Sequence, residues 1–269
     1  MSPDDRQATN ALCLYSASAR RQRIGAKILD IPVGVEYTCG MADSTNDVWE
    51  VLSTARSVRR YTDEPVGDET LNRCLEAATW APNGANGQLW RFIVMSGPQQ
   101  RAAVAEAAQG ALSQIEGIYG MSRPAADDRS PVARKNRAIY ELHDRAGEYT
   151  SVLFTAYKHE FASEFLQGGS IYPAIQNFYL AARAQGLGAC LTSWASYDGE
   201  RILREAVGVP EGWFLAGHIV LGWPRGRHGP VRRRPIADVV FRDRWDPERA
   251  DIAYGRGARP SRGKKFSAN

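Results

Sequence analysis

Two hydrophobic rhythms take turns along this chain. Apolar positions three or four apart mark one face of a helix, and short unbroken apolar runs mark buried strands. A polar stretch at 41–46 precedes Val48, Val51 and Leu52 at helical spacing, with Thr45 or Asn46 as the N-cap. The span 69–80 carries Leu71, Cys74, Leu75 and Ala78 on one face, with Asp68 as its cap. Pro82-Asn83-Gly84 ends that helix and opens a polar loop. The run 92–95, bounded by Gly97-Pro98, predicts a buried strand, and the Ala-rich span 99–112 a helix. Residues 113–150 are charged and broken by Pro124 and Pro131, which predicts an inserted lid, partly helical. Beyond it the pattern predicts a strand at 151–157, a loop at 165–169 and a strongly apolar helix at 171–185 closed by Gly186. A strand at 188–192, a helix capped by Asp198 through Val207, and strands at 214–222 and 236–241 complete the order.

Helices and strands interleaved in this way predict an α+β domain with one continuous core. The order is not the regular strand–helix alternation of a dinucleotide-binding fold. Its one near-match, Gly186-Leu-Gly188-Ala-Cys-Leu191, lacks the third glycine and follows a helix instead of a strand.

Composition narrows the classes further. The 269 residues are 43% hydrophobic and 24% charged, as in an ordinary globular chain. No apolar run approaches the roughly 20 residues of a membrane helix, and no signal peptide is read, so the expectation is a cytoplasmic protein without a membrane partner. Cys13, Cys39, Cys74 and Cys190 form no C-x-x-C pair, and His143, His159, His218 and His228 have no ligand spacing, so no metal site is expected. The net charge of +4 is uneven: residues 1–40 balance at +1, 41–224 at −5 and 225–269 at +8. A mildly acidic body with a basic end argues against a nucleic-acid partner. The expected layout is a segment 1–40, a domain over 41–245 and a disordered basic tail at 246–269. Residues 1–40 are read either as an extension upstream of a true start at Met41 or as a loosely packed arm.

Two stretches carry candidate chemistry. Arg56-Ser57-Val58-Arg59-Arg60 places two guanidinium groups three residues apart. One helical turn or a tight extended bend could aim both at one anion, and their paired donors suit phosphate. A plain surface arginine cluster has the same composition. The second stretch, 81–92, sets Gly84, Gly87, Asn83, Asn86 and Gln88 between a helix and a strand. Its amides could read the edge of a planar heterocycle, although an ordinary turn uses the same residues.

Together and in this order, R-S-x-R-x-[FY] followed by A-P-[SN]-G-x-N-x-Q-x-W-x-F resembles the FMN-dependent nitroreductase family, in its bacterial, actinobacterial type. The helix at 174–188, Gly208-Val-Pro210, Leu221-Gly-Trp-Pro224 and Arg232-Arg-Arg-Pro235 extend the likeness over roughly 46–245. The resemblance implies a three-layer α+β fold, with a central, mostly antiparallel sheet flanked by helices, in an intertwined homodimer. It implies FMN held non-covalently at the dimer interface and NAD(P)H as electron donor. By position, Arg56, Ser57 and Arg59 match the first FMN-binding block, and Pro82, Asn83, Gly84 and Asn86 the loop along the isoalloxazine. Thr192 and Ser193 match a strand end near the ring, and Arg233 the basic residue that reaches the phosphate.

Ala55 stands where many members carry a further arginine, which leaves Arg232 and Arg234 as possible partners in phosphate binding. Leu89 replaces the usual proline before tryptophan. Ser57 stands where the benzimidazole-forming subgroup has an acid, so that chemistry is not expected. The lid residues of dehalogenating relatives have no match in 113–150. The implied activity moves reducing equivalents from NAD(P)H to a small aromatic, quinone or nitro-type acceptor by a ping-pong order. Arg59 is the candidate to stabilise charge at N1/O2 of the flavin, and no protein nucleophile is required. Trp194, Tyr172 and Trp223 are candidates for an aromatic slot, with core packing the plainer role for each. The alternative function is a flavin-binding protein of this fold without general turnover, in a sensor or storage role.

Overall fold

The computed structural model describes residues 44–159, 163–196, 198–236 and 239–245. The segment 1–40 and the basic tail at 246–269 lie outside the described residues.

Helix α1 (Val48–Thr54) is capped by Asp47, whose carboxylate accepts from the Trp49 and Glu50 amides at 2.8 and 3.1 Å. The cap is therefore one residue beyond Asn46, where a negative charge also complements the helix dipole. Helix α2 (Asp68–Thr79) has Gly67 at its N-cap and Asp68 inside its first turn, so Asp68 serves the dipole instead of capping. Strand β1 (Trp90–Val94) leads to α3 (Pro98–Tyr119), which runs past the expected end at 112 and stops at left-handed Gly120. The lid contains α4 (Pro131–Asp144), followed by β2 (Thr150–Tyr157).

Helix α5 (Glu164–Ala184) overturns the loop expected at 165–169. Ser163 caps it, its hydroxyl accepting from the Leu166 amide at 3.3 Å. Gly168 lies there for packing, not for a turn: a Cβ at that position would come within 3.0 Å of the Tyr172 ring. Strand β3 (Gly188–Thr192), α6 (Asp198–Val207) and β4 (Trp213–Gly222) follow in the predicted order, with Asp198 in the first turn of α6 instead of at its cap. The described residues of 236–241 form no strand. The Ile236 carbonyl instead accepts from the Val239 and Val240 amides, closing a local turn.

The strands pair antiparallel in the order β1-β2-β4-β3. Because side chains alternate along a strand, the inner strands bury both faces. Val152, Phe154 and Ala156 of β2, with Ile219 and Leu221 of β4, pack on the side of α2 and α5. Leu153 and Val220 point the opposite way, toward α3 and α6. The result is the three-layer α+β architecture that the resemblance implies; the sheet divides the core into two layers where the pattern predicts one continuous core, and β3 lies at one edge of the sheet. Among the described residues no helix is long and apolar enough to cross a membrane.

Candidate functional site

The site grows from the edge strand β3. The chain after α1 is extended, not helical: the Val58 amide donates to the Ala189 carbonyl at 2.9 Å, and Ser57 bridges Ala189 in parallel. Gly188 permits this approach, since a Cβ there would come within 2.7 Å of the Val58 side chain. In an extended segment neighbouring side chains point to opposite sides. Arg56 accordingly shares a shallow crevice with Val58, Tyr179 and His228, whereas Arg59 lines a different and larger cavity. At about 3.3 Å per residue their Cα atoms are about 10 Å apart. The two arginines thus address two points, not one anion. Ser57 lies between them, paired with Ala189, whose carbonyl also accepts from the Tyr179 hydroxyl at 2.8 Å.

The larger cavity has a volume of about 610 Å³. Its floor is Arg59 and the end of β3 from Cys190 to Trp194, which brings Arg59, Thr192 and Ser193 together. Its roof comes from the end of α3 and one face of α4: Val132, Lys135, Asn136, Ile139, Leu142 and His143. The roof is firmly built. Ser130 caps α4 by accepting from the Ala133 amide at 3.1 Å, and Pro131 opens the helix. Arg123 clasps Asp144 through two bonds of 2.7 and 2.8 Å, and its guanidinium also covers the Tyr140 ring at 4.5 Å. The Tyr140 hydroxyl donates to Glu116 at 2.6 Å, tying α4 to α3.

Two buried imidazoles, one under the floor and one in the roof, organise the cavity. The Thr192 hydroxyl lies 3.2 Å from His218 Nδ1 and 3.1 Å from the His218 carbonyl. His218 is fully buried, and desolvation pushes its pKa down to about 3, so the ring is neutral. His143 is lowered for the same reason, its Nδ1 lying 2.7 Å from the Ile139 carbonyl. Trp194, 1% exposed, lies between them with each ring centroid at 5.3 Å. Of the three aromatic candidates only Trp194 lines this cavity; Trp223 donates its Nε1 to the Pro65 carbonyl, and Tyr172 is a half-exposed α5 residue.

The C-terminal basic segment comes close to the first block. The Val231 amide donates to the Ser53 carbonyl at 2.8 Å, and Arg56 reaches the Gly229 carbonyl at 3.5 Å. Arg233, two residues on, is exposed, and its guanidinium bonds only the neighbouring Arg232 carbonyl. Among the described residues Arg56, Arg59 and Arg233 have no carboxylate partner.

The loop at 82–88 does not line the cavity. Ala85, Asn86 and Gln88 adopt left-handed backbone (φ 51°, 52° and 48°), which non-glycine residues do at a cost. Asn83 braces the loop: its Oδ1 accepts from the Gln88 amide at 2.9 Å and its Nδ2 donates to Ala81. Gly84 donates its amide to Ser170 Oγ at 3.2 Å, fixing the loop on the first half of α5. Pro82, Gly84 and Asn86 are exposed, and Asn83 is half-buried. Ser57, by contrast, meets α5 at Tyr179, about 13 Å further along its axis.

Sequence reasoning missed the α4 face and both histidines. A signal was present: Val132, Asn136, Ile139 and His143 recur four, three and four residues apart, one helical face.

The model of the nitroreductase family matches residues 52–223. An NADH dehydrogenase of Thermus thermophilus is 30% identical over 191 residues, covering 69% of this chain and 91% of its own. A 5,6-dimethylbenzimidazole synthase of Rhodospirillum rubrum is 28% identical over 176 residues, covering 64% of this chain and 80% of its own. The crystal structure of a Desulfovibrio desulfuricans nitroreductase in complex with FMN superposes with a TM-score of 0.54. That alignment has 24% identity and covers 76% of this chain and all of the other, a likeness of fold.

Proposed function

The chain belongs to the nitroreductase family and is an NAD(P)H-dependent FMN oxidoreductase, and from this premise we propose that the cavity beneath α4 is where FMN, its electron donor and the acceptor meet. The observation that carries the assignment is Arg59, a guanidinium without a carboxylate partner among the described residues, facing a cavity of about 610 Å³ beside Thr192 and Ser193. That volume lies within the ordinary range of cofactor sites, roughly 300–1,000 Å³. The residues fit an elongated ligand with an anionic end. Arg56, Ser57 and Arg233 hold the phosphate, and Arg59, about 10 Å along the strand from Arg56, faces the N1/O2 edge of the ring. Thr192 and Ser193 lie beside the ring.

Pro82, Asn83, Gly84 and Asn86 lie along the ring of the second copy's FMN. Two features support that reading: the loop lies outside the cavity of its own chain, and α1 exposes Val48, Trp49 and Leu52. The working unit is a homodimer of the 41–245 domain, and its cytoplasmic placement follows from the need for NAD(P)H.

Bound FMN supplies the centre that takes a hydride from NAD(P)H and passes reducing equivalents on. The chain's part is to bind, orient and shield. Arg59 stabilises negative charge at the ring edge, and the neutral His218 holds the Thr192 hydroxyl in place. The roof of α3 and α4 excludes water. One cavity serves both partners, so the donor leaves before a small aromatic, quinone or nitro-type acceptor enters, a ping-pong order. Ser57, hydroxylic where the benzimidazole-forming subgroup carries an acid, assigns repeated redox cycling over destruction of the flavin.

Two measurements test this reading. FMN added to cofactor-free protein binds tightly with a change in its absorption spectrum; absence of uptake overturns the assignment. Steady-state NAD(P)H oxidation at several fixed quinone concentrations gives parallel double-reciprocal lines, and intersecting lines overturn the ping-pong order.

A further inference from the structure

On the reading above, the cofactor takes up Arg56 and Arg233 through its phosphate and Arg59 through the edge of its ring. Of the cations lining the cavity among the described residues, Lys135 is left over, and no aspartate or glutamate lines the cavity with it. Val132, Lys135, Ile139 and Leu142 recur three, four and three residues apart, so they share one face of α4, and all four line the cavity. Exposure rises along that face from buried Leu142 through half-buried Ile139 to exposed Lys135 and Val132. The lysine therefore stands at the open end, within reach of a ligand. The acids nearest the roof are engaged elsewhere. Glu116 accepts from Tyr140, Asp144 is clasped by Arg123, Asp128 accepts from the Ser130 amide at 2.8 Å, and Glu141 binds Arg60 and Arg225. Among the described residues the Lys135 ammonium has neither an ion pair nor a hydrogen bond. An ammonium beside the apolar Val132 and Ile139 gains from an arriving anion what no side chain supplies.

We propose that Lys135 is a specificity-determining residue that selects planar aromatic acceptors bearing a carboxylate, its ammonium pairing with that group at the cavity mouth. The inference rests on the functional reading above and narrows its acceptor class. The ring of the acceptor packs under Ile139 and Val132, with its reducible end toward the floor and its carboxylate outward. There Lys135 supplies the charge, and Asn136, on the same wall, a neutral amide donor. Neutral nitroarenes and quinones of the same shape forgo the ion pair and bind less well. The phosphates of NAD(P)H carry charge of the same sign, so donor and acceptor are tested separately.

The test uses a matched pair, 4-nitrobenzoate and 4-nitrobenzamide, nearly equal in shape, the first anionic and the second neutral at neutral pH. Dissociation constants are read at low ionic strength from the flavin absorbance of the oxidised, FMN-loaded protein, without turnover. The wild type binds 4-nitrobenzoate about fivefold more tightly than 4-nitrobenzamide, the size of a partly exposed ion pair. In Lys135→Gln the ratio falls to about one through weaker nitrobenzoate binding, while Lys135→Arg, which keeps the charge, retains most of the preference. The dissociation constants of NADH and NADPH, from the concentration dependence of anaerobic flavin reduction, change by less than about twofold in Lys135→Gln, because the lysine serves the acceptor. Equal binding of the pair by the wild type overturns the proposal, as does a preference that survives in Lys135→Gln. A donor constant that rises as much as the nitrobenzoate constant also overturns it and assigns the lysine to the dinucleotide phosphates. Failure of the protein to take up FMN at all is a different result, and it overturns the functional reading.

Discussion

Neighbouring arginines on this chain have opposite fates. Arg60 and Arg225 share Glu141, each at 2.9 Å, and Arg145 is held at 2.6 Å by both Asp63 and Glu148. Among the described residues, Arg59, next to Arg60 in sequence, faces a cavity with no carboxylate, and Arg56 and Arg233 reach only backbone carbonyls. The first group has its charge neutralised within the protein and serves the fold. The second keeps its charge available, which a stably folded protein does without gain unless an anion arrives. What separates them is not residue type or proximity in sequence but which acids the surrounding elements bring within reach.

The most direct way to break this comparison is Arg56→Ala with Arg233→Ala. Losing two charge-assisted contacts of about 1.5–3 kcal/mol each weakens FMN binding on the order of 100-fold or more, with the thermal midpoint of the cofactor-free protein little changed. Equilibrium titration checks it, and unaltered affinity removes the distinction. A smaller effect comes from the seam between Arg56 and Arg59. Gly188→Ala pushes Val58 off the β3 edge at a cost of about 1–3 kcal/mol, read by denaturant unfolding, and loosens FMN as well.

Acid sharpens the contrast next. His218 is depressed to about 3 in the fold against 6.5 unfolded, so the unfolded chain takes up the proton first. Stability that is complete above pH 6.5 is lost as pH falls toward 3, by up to about 1.4 kcal/mol per pH unit. Asp63 and Asp144, held down by Arg145 and Arg123, give up their contribution only below the ordinary carboxylate value of 3.8. His218→Leu therefore shrinks the upper limb of the stability–pH curve to the part that the depressed His143 and His228 contribute, and leaves the lower limb. Smallest of all is Arg60→Ala with Arg225→Ala, which lowers stability by about 1 kcal/mol, as partly exposed pairs do, and shifts FMN affinity by less than about threefold.

Much of this arrangement was legible in the residue pattern. The strands at 188–192 and 214–222 and the helices around Cys74 and Phe178 are strongly periodic and appear where expected. Gly168 and Gly169 read as a loop because local sequence cannot show that Tyr172 lies against the first of them. The roof was read only as a partly helical lid, since α4 exposes a charged face and its apolar stripe is interrupted by Lys135 and Asn136. At the site, the residue types were readable and their directions were not. Whether Arg56 and Arg59 point together or apart depends on pairing with Ala189, more than a hundred residues away. The buried state of His143 and His218 depends likewise on Trp194, which no local rule places between them.

The bond from the Val58 amide to Ala189 gives the molecule a built-in reporter. It fastens the strip bearing Arg56 and Arg59 to the rim of the sheet, and that strip must peel away before this proton can exchange with heavy water. Any occupant gripping both guanidinium groups holds the strip down, so exchange at this single position slows in proportion to occupancy. A spectrometer following one amide would thus count filled sites without observing the occupant itself.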